Sequence, residues 1–379
     1  MHASAVAMPS WIRSAMCARR ATRLCAWALA ALSVAISSTS CADTVTTRQR
    51  TVTQVANGVY VIRHRDSPDG NVNGNTAVII GEQRVLVVDS CFQLSAAADD
   101  IAQIQRWTKK PVAFLLITHW HNDHNMGSGL YKAAYPDLEV VSHSTTKRDM
   151  YRTPVTPSRF EQQIATRERQ LASGRDANGK PLTASDSVAL RQKIAGKKQV
   201  LAELHDFVYQ APTLTFEHEL DVDLGGREVQ LLHLGRGPTS GDAMAFLPRE
   251  RVLIAGDLVT HPILFTYDGY PSEWVTTLDR LLELAPTTVV PGHGEVLHGV
   301  EYLRLCHDYL ANAVDQVAGQ LRQQTATIEN PSLDAVRKGV DLAAFRARFG
   351  GSDSDNLEAF DDANEALIRV VYHEAMHNQ

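Results

Sequence analysis

The stretch T-H-W-H-N-D-H-N-M, residues 118–126, places three histidines and an aspartate within six positions: His119, His121, Asp123 and His124. Imidazole nitrogens and carboxylate oxygens are the side-chain donors that hold borderline divalent cations. His119 and His121 are two apart in what reads as extended chain, so both rings can face one side. Asp123 and His124 follow where the chain turns into the next helix. Four donors this close in sequence wrap poorly around one tetrahedral ion. They suit two neighbouring ions, each taking a pair. The donor types favour Zn2+, one or two ions, with iron or manganese as alternatives in a mixed site.

Two ions need more ligands, and the chain supplies them at strand ends. L-I-A-G-D presents Asp257 after one apolar run, and V-V-P-G-H-G presents His293 after another. Each has a glycine beside it, which permits close backbone approach. An aspartate lying between two ions can bridge them. Taken alone, Asp257 would read as a helix cap and His293 as a turn residue.

The elements that must carry these groups follow from periodicity. G-V-Y-V-I-R-H, N-T-A-V-I-I-G and R-V-L-V-V-D-S read as strands, broken by S-P-D-G-N-V-N-G-N and G-E-Q. An amphipathic helix, Q-L-S-A-A-A-D-D-I-A-Q-I-Q-R-W-T, and a buried strand, P-V-A-F-L-L-I, lead into the histidine cluster. Strands resume at R-E-V-Q-L-L-H-L, D-A-M-A-F-L-P and R-V-L-I-A-G-D, and a helix precedes T-T-V-V-P-G-H-G. The alternation predicts α and β layers in one domain spanning residues 43–300. Within it, residues 144–210 are charged and helical in period, with a break at G-R-D-A-N-G-K-P-L. They read as an inserted helical hairpin. A solvated hairpin is favoured, since nothing in it looks catalytic; a lid over the site, or an arm for homo-oligomer formation, is the other reading. Residues 301–379 read as a C-terminal helical extension.

The N-terminus is a separate unit. Arg13, Arg19, Arg20 and Arg23 precede the apolar run Leu24–Ile36, and small residues follow. This is the order of a secretory signal over residues 1–42, with cleavage after Ala42. The expected location is periplasmic or secreted, with lipid attachment at Cys41 the less favoured reading. Beyond that segment only Cys91 and Cys306 remain, too few for a disulfide framework. Buried thiols are favoured over a bridge between them. Hydrophobic residues make up 44% of the 379, enough for a sizeable core. A net charge of −6 gives no electrostatic case for a nucleic-acid partner. No later apolar run approaches a membrane span.

Together, H-x-H-x-D-H at 119–124, G-D at 256–257 and P-G-H-G at 291–294 resemble the metallo-β-lactamase superfamily. The resemblance runs over about residues 51–300 and is interrupted by the helical insertion. It implies a mixed α/β fold, the four-layer αββα sandwich, with metals at one edge of two facing sheets. It implies that His119 and His121 bind a first metal, that Asp123, His124 and His293 bind a second, and that Asp257 bridges. Asp89, ending V-L-V-V-D, resembles the family's buried aspartate that orients ligands. The chain departs from the pattern at one place. The first metal's third histidine belongs in a G-H-T sequence, and here Pro238 stands in G-R-G-P-T-S-G-D. His233 and His261 are the nearby histidines that could substitute.

The implied chemistry is hydrolysis of a carbonyl or ester-type small-molecule substrate by metal-bound hydroxide, with Asp123 and Asp257 orienting the attacking group. A β-lactam, lactone, thioester or organophosphate ester would each fit. Two other classes stand beside it: a catalytically impaired metal- or ligand-binding protein, motivated by Pro238, and an iron-dependent oxidoreductase of the same superfamily. Trp120 and the segment T-H-P-I-L-F-T-Y-D-G-Y-P-S-E-W are read as pocket walls.

Overall fold

A computed structural model describes residues 44–46, 50–151, 155–325 and 331–377. The signal-like segment and Cys41 lie outside the described residues. Eight strands form the first sheet in sequence order: β1 (Thr44–Thr46), β2 (Arg50–Ala56), β3 (Val59–His64), β4 (Thr76–Ile80), β5 (Val85–Val88), β6 (Val112–Leu116), β7 (Glu139–His143) and β8 (Leu214–Phe216). Pairing is antiparallel from β1 to β5 and parallel from β5 to β8. The second sheet runs β14-β13-β12-β11-β10-β9, built from β9 (Glu219–Asp223), β10 (Glu228–Leu232), β11 (Met244–Leu247), β12 (Val252–Thr260), β13 (Thr288–His293) and β14 (Leu297–His298). Its one parallel pair is β12 with β13.

Strand alternation decides which face each residue takes. Along β3, β4 and β5, Val59, Val61, Ala77, Ile79, Leu86 and Val88 point between the sheets. Their neighbours Ile62, Val78, Val85 and Val87 point to the outer face. There α1 (Leu94–Trp107) and α3 (Ser128–Ala134) cover them, with Ala97, Ile104 and Tyr131 buried. The second sheet's outer face buries Leu253, Ala255 and Val289 against α7 (Pro271–Glu283), α8 (Glu301–Thr325) and α11 (Ser354–His377). The layers are therefore helix, sheet, sheet, helix. The C-terminal helices, including α9 (Leu333–Arg337) and α10 (Ala343–Gly350), share the second sheet's core. Leu86 is fully buried between the sheets, and truncating it to alanine would cost about 2–5 kcal/mol.

The insertion starts with the short helix α4 (Ser144–Asp149) and then forms a hairpin of α5 (Pro157–Ser173) and α6 (Ala184–Glu203). Pro157 opens α5, and a reciprocal cap between Thr183 and Asp186 opens α6. The hairpin is not simply solvated. Phe160, Val200 and Leu204 pack on Phe92, Leu94 and Met126 in a small core of their own. The Glu203 carboxylate accepts hydrogen bonds from Ser95 N (3.0 Å) and Ser95 Oγ (2.8 Å), satisfying free donors at the start of α1. Lys197 Nζ pairs with Asp69 at 3.1 Å. Cys91 and Cys306 are free, buried thiols in two different cores. Among the described residues no helix is long and apolar enough to cross a membrane.

Candidate metal centre

Strand β6 ends at Leu116, and the chain then crosses the sheet edge as Thr118–His121 before the single turn α2 (Asn122–Asn125). The Asn125 side chain donates to the carbonyls of Trp120 and His121, both at 2.8 Å, which braces the cluster's own loop. His119 Nε2 and His121 Nδ1 come within 3.0 Å of each other. His124 Nε2 lies 3.2 Å from His293 Nε2, and His293 Nε2 lies 3.0 Å from Asp123 Oδ2. Asp257 sits between the two groups, with Oδ2 3.6 Å from His119 Nε2 and Oδ1 3.3 Å from His124 Nε2. All six candidate ligands read from the sequence thus meet where the chain after β6 of the first sheet comes against β12 and β13 of the second. His119, His124 and Asp257 are buried beneath, while His121, Asp123 and His293 keep a partly open face.

Two glycines make the convergence possible. Gly256 has φ +54° and introduces an irregularity in the pairing of β12 with β13; a Cβ there would lie 2.8 Å from Thr118 Cβ. A Cβ on Gly292 would lie 2.0 Å from Asp257 Oδ1, so only glycine lets β13 pass that carboxylate. Asn75, unread in the sequence, ties β4 to this strand end: its side chain donates to Pro291 O (2.9 Å) and Gly294 O (3.0 Å).

Asp89 follows β5 with φ +60°, a conformation aspartate tolerates better than most residues. Its Oδ1 accepts from Thr118 N (2.9 Å), and its Oδ2 from Thr118 Oγ1 (2.8 Å) and His124 Nδ1 (2.7 Å). That contact places a proton on Nδ1, so Nε2 is the nitrogen that His124 would offer to a cation in exchange for its own proton.

The donor set fits a divalent cation. Asp257 Oδ1 is buried with no hydrogen bond of its own, 3.3 Å and 3.5 Å from two imidazole nitrogens. Lone pairs packed at these distances repel unless positive charge lies among them. The electrostatics agree. Burial opposes charge on His124, but Asp257, Asp123 and Asp89 outweigh it and hold the ring well above the usual imidazole range. Burial likewise opposes charge on His293, and Asp257 and Asp123 again raise it. Asp257 is held well below the carboxylate range by His124, His293 and His119 despite its burial. His119 and His121 go the other way, lowered chiefly by desolvation, and so stay neutral donors. Carboxylates that draw protons onto buried imidazoles would draw a metal ion as readily.

Pro238 lies buried on the turn between β10 and β11, a turn organised by Asp242, which accepts from Gly237 N, Thr239 N and Thr239 Oγ1. His233 is engaged elsewhere. Its Nδ1 meets Asp242 O at 2.8 Å and its ring stacks on His143 at 3.9 Å. His261 does reach the site's rim: its N–H donates to His293 O at 3.1 Å, and its own Nδ1 is buried without a partner.

The cluster opens into a cavity of about 1050 Å3. Trp120 lines it while its ring meets His121 edge-on at 4.5 Å. His261, Ile263, Phe265 and Tyr267 form one wall, and Phe160, Arg159 and Arg167 of the hairpin form another. The hairpin's share of this wall agrees with the less favoured sequence reading, a segment over the site, although no motif marks the residues involved.

The sequence profile of the metallo-beta-lactamase superfamily matches residues 69–293. The chain belongs to that superfamily. It is 28% identical over 259 residues to a linear primary-alkylsulfatase from Pseudomonas sp. (strain ATCC 19151), covering 63% of this chain and 46% of that protein. It is also 28% identical over 245 residues to a metallo-beta-lactamase type 2 from Bacillus cereus, covering 62% of this chain and 74% of that one. The chain thus spans about half the length of the alkylsulfatase and about three quarters of the lactamase. Among solved structures, a metallo-beta-lactamase from Pontibacter korlensis aligns over 70% of this chain and all of its own, with a TM-score of 0.49 and 18% identity.

Proposed function

We propose that this chain is an exported metal-dependent hydrolase acting on a small ester-type or lactam substrate. The observation that carries the reading is the convergence of six N and O donors beside a cavity large enough for a drug-sized molecule. Asp123, His124 and His293, with Asp257, would hold one ion, and His119 and His121, also with Asp257, a second. Zn2+ is the ion this donor set favours. A cation held there supplies an acidified water near neutral pH and a Lewis acid for the developing oxyanion.

The chain's own residues do the rest. Asp123 is held below the usual carboxylate range: burial pushes it up, and His124 and His293 more than offset that. It is therefore an acceptor, able to orient a water proton in the cavity. Asp257, ionised and with its Oδ1 unengaged, does the same from beneath. Asp89 keeps His124 in one tautomer throughout. Trp120 and Phe265 flank His121, the latter ring 5.9 Å away, and exclude bulk water from that side.

The names of the two relatives, an alkylsulfatase and a lactamase, support bond hydrolysis as the class and set the assay. Purified mature protein would be tested against a chromogenic cephalosporin, an aryl sulfate and an aryl carboxylic ester, before and after chelation and after Zn2+ is restored. Turnover of at least one that disappears with chelation and returns with zinc is the expected result. Absence of metal-dependent turnover across a wider panel of esters, lactams and sulfates would overturn the proposal. Pro238 favours a second reading, in which the His119–His121 site is weak and the ion at Asp123, His124 and His293 acts alone.

A further inference from the structure

The cavity is much larger than the metal cluster needs, and the part of its lining that comes from the hairpin has a distinct chemistry. Along α5, Arg159, Gln163 and Arg167 recur every four residues, so they lie on one helix face, and all three line the cavity. Phe160 lies beside them, its ring under Lys197 Nζ at 5.1 Å.

Four cationic side chains line the cavity, and two of them are already committed. Arg63 pairs with Glu295 at 2.7 Å, and Lys197 pairs with Asp69 at 3.1 Å. The other two are not. Arg159 makes no ion pair among the described residues, and Arg167 donates only to the carbonyl of Gln163 on its own helix, at 3.3 Å. The cavity's carboxylates are Asp123 and Asp257 in the cluster and Asp66 outside it. Apolar side chains also line the cavity, Phe92, Phe160, Leu264 and Phe265 among them, together with the amides of Asn71, Asn73 and Gln163. Guanidinium groups bind oxyanions with paired, charge-assisted hydrogen bonds.

We propose that Arg159 and Arg167 form an oxyanion subsite, and that the substrate carries an anionic group remote from the bond that is cleaved, joined to it by an apolar segment. The inference rests on the hydrolase reading only for the word substrate; the subsite itself is a binding property. It makes the inserted hairpin the specificity element of this chain. Carboxylate, sulfonate and phosphonate share the chemistry required.

The test uses the full mature protein loaded with zinc. Affinities would be measured by calorimetry for a length series of α,ω-dicarboxylates against the monocarboxylates of equal length. Both have one carboxylate for the metal cluster, and only the diacids have a second. At the best length the diacid is expected to bind about tenfold more tightly. That margin should vanish in the Arg159→Gln/Arg167→Gln double variant and shrink as ionic strength rises. Neither arginine packs in a core, so folding and zinc content should be unchanged, and the salt dependence of the parent protein gives a readout that needs no variant. ω-Sulfonates and ω-phosphonates of the same length identify the preferred oxyanion. A diacid margin absent at every length, or one that survives in the double variant, would overturn the proposal. An arginine-dependent margin without turnover of any ester would leave the subsite standing and sink the hydrolase reading instead.

Discussion

Asp89 Oδ2 sits 2.7 Å from His124 Nδ1, and the same carboxylate takes both the backbone and the hydroxyl of Thr118. One buried side chain therefore sets the tautomer of one proposed ligand and the path of the backbone that carries His119. Burial alone raises the Asp89 pKa, with His124 and Thr118 opposing. The group is expensive to bury, and its contacts are what offset that cost.

Replacing it tests that role. Asp89→Asn keeps the shape and one acceptor but withdraws the negative charge behind His124. The expected result is zinc affinity about 10–100-fold weaker with the fold intact. Competition against a chromogenic chelator measures it, and unchanged affinity would show that Asp89 is only a structural pin.

Gly292→Ala asks whether the close approach of β13 to Asp257 matters. The added methyl would stand 2.0 Å from Asp257 Oδ1, so the carboxylate or the strand must move. A loss of about 1–3 kcal/mol in stability is expected. Zinc content should fall with it, because Asp257 faces both groups of donors. A variant that melts early yet holds its full zinc complement would separate packing from ligation.

His143 gives a pH signature that belongs to none of the six clustered donors. Its ring is stacked on His233, and burial, with His233 beside it, lowers its pKa from 6.5 to about 4 despite Glu217. Between those two values the unfolded chain binds more protons at this site than the folded one. Its stabilising contribution is complete above pH 6.5 and is lost as pH falls toward 4. His143→Asn keeps an acceptor at the start of α4 and removes the titration. Chemical denaturation at several pH values should show the parent losing about 1–2 kcal/mol more than the variant over that window. Parallel curves would contradict the assignment.

Much of the candidate site was legible because its donors stand where apolar runs give way to glycine and polar residues, although β12 runs on past Asp257 to Thr260. His119, His121, Asp123 and His124 are local in sequence, and Asp257 and His293 each end a run that reads as buried strand. Asn75 was illegible, since its role depends on two carbonyls more than 200 residues away. Strands β8 and β9 were missed within polar stretches such as E-L-D-V-D, where tertiary pairing overrides weak local preference. The hairpin was legible as helices but not as a cavity wall. A charged helix face looks the same in sequence whether it meets solvent or a cavity, and only the docking through Phe160 and Val200 distinguishes them.

Pro238 yields the prediction on which the choice between one and two ions turns. His119 Nε2 and His121 Nδ1 are close enough to share an ion, and Asp257 Oδ2 faces them, but proline offers that pair nothing and His233 is held by Asp242 and His143. The site at Asp123, His124 and His293 has its full set of side chains. Calorimetric titration of metal-free protein with zinc should therefore show one tight ion and a second that binds more weakly. Pro238→His is expected to tighten the second by about tenfold or more, since it adds an imidazole nitrogen to a set already assembled. The variant's zinc content after dialysis should rise from about one to about two per chain. Two equally tight ions in the parent would mean that another group completes the first site, and His261, which reaches the rim beside His293, is the candidate. Pro238→His would then change little, and His261→Ala would become the variant that lowers the count.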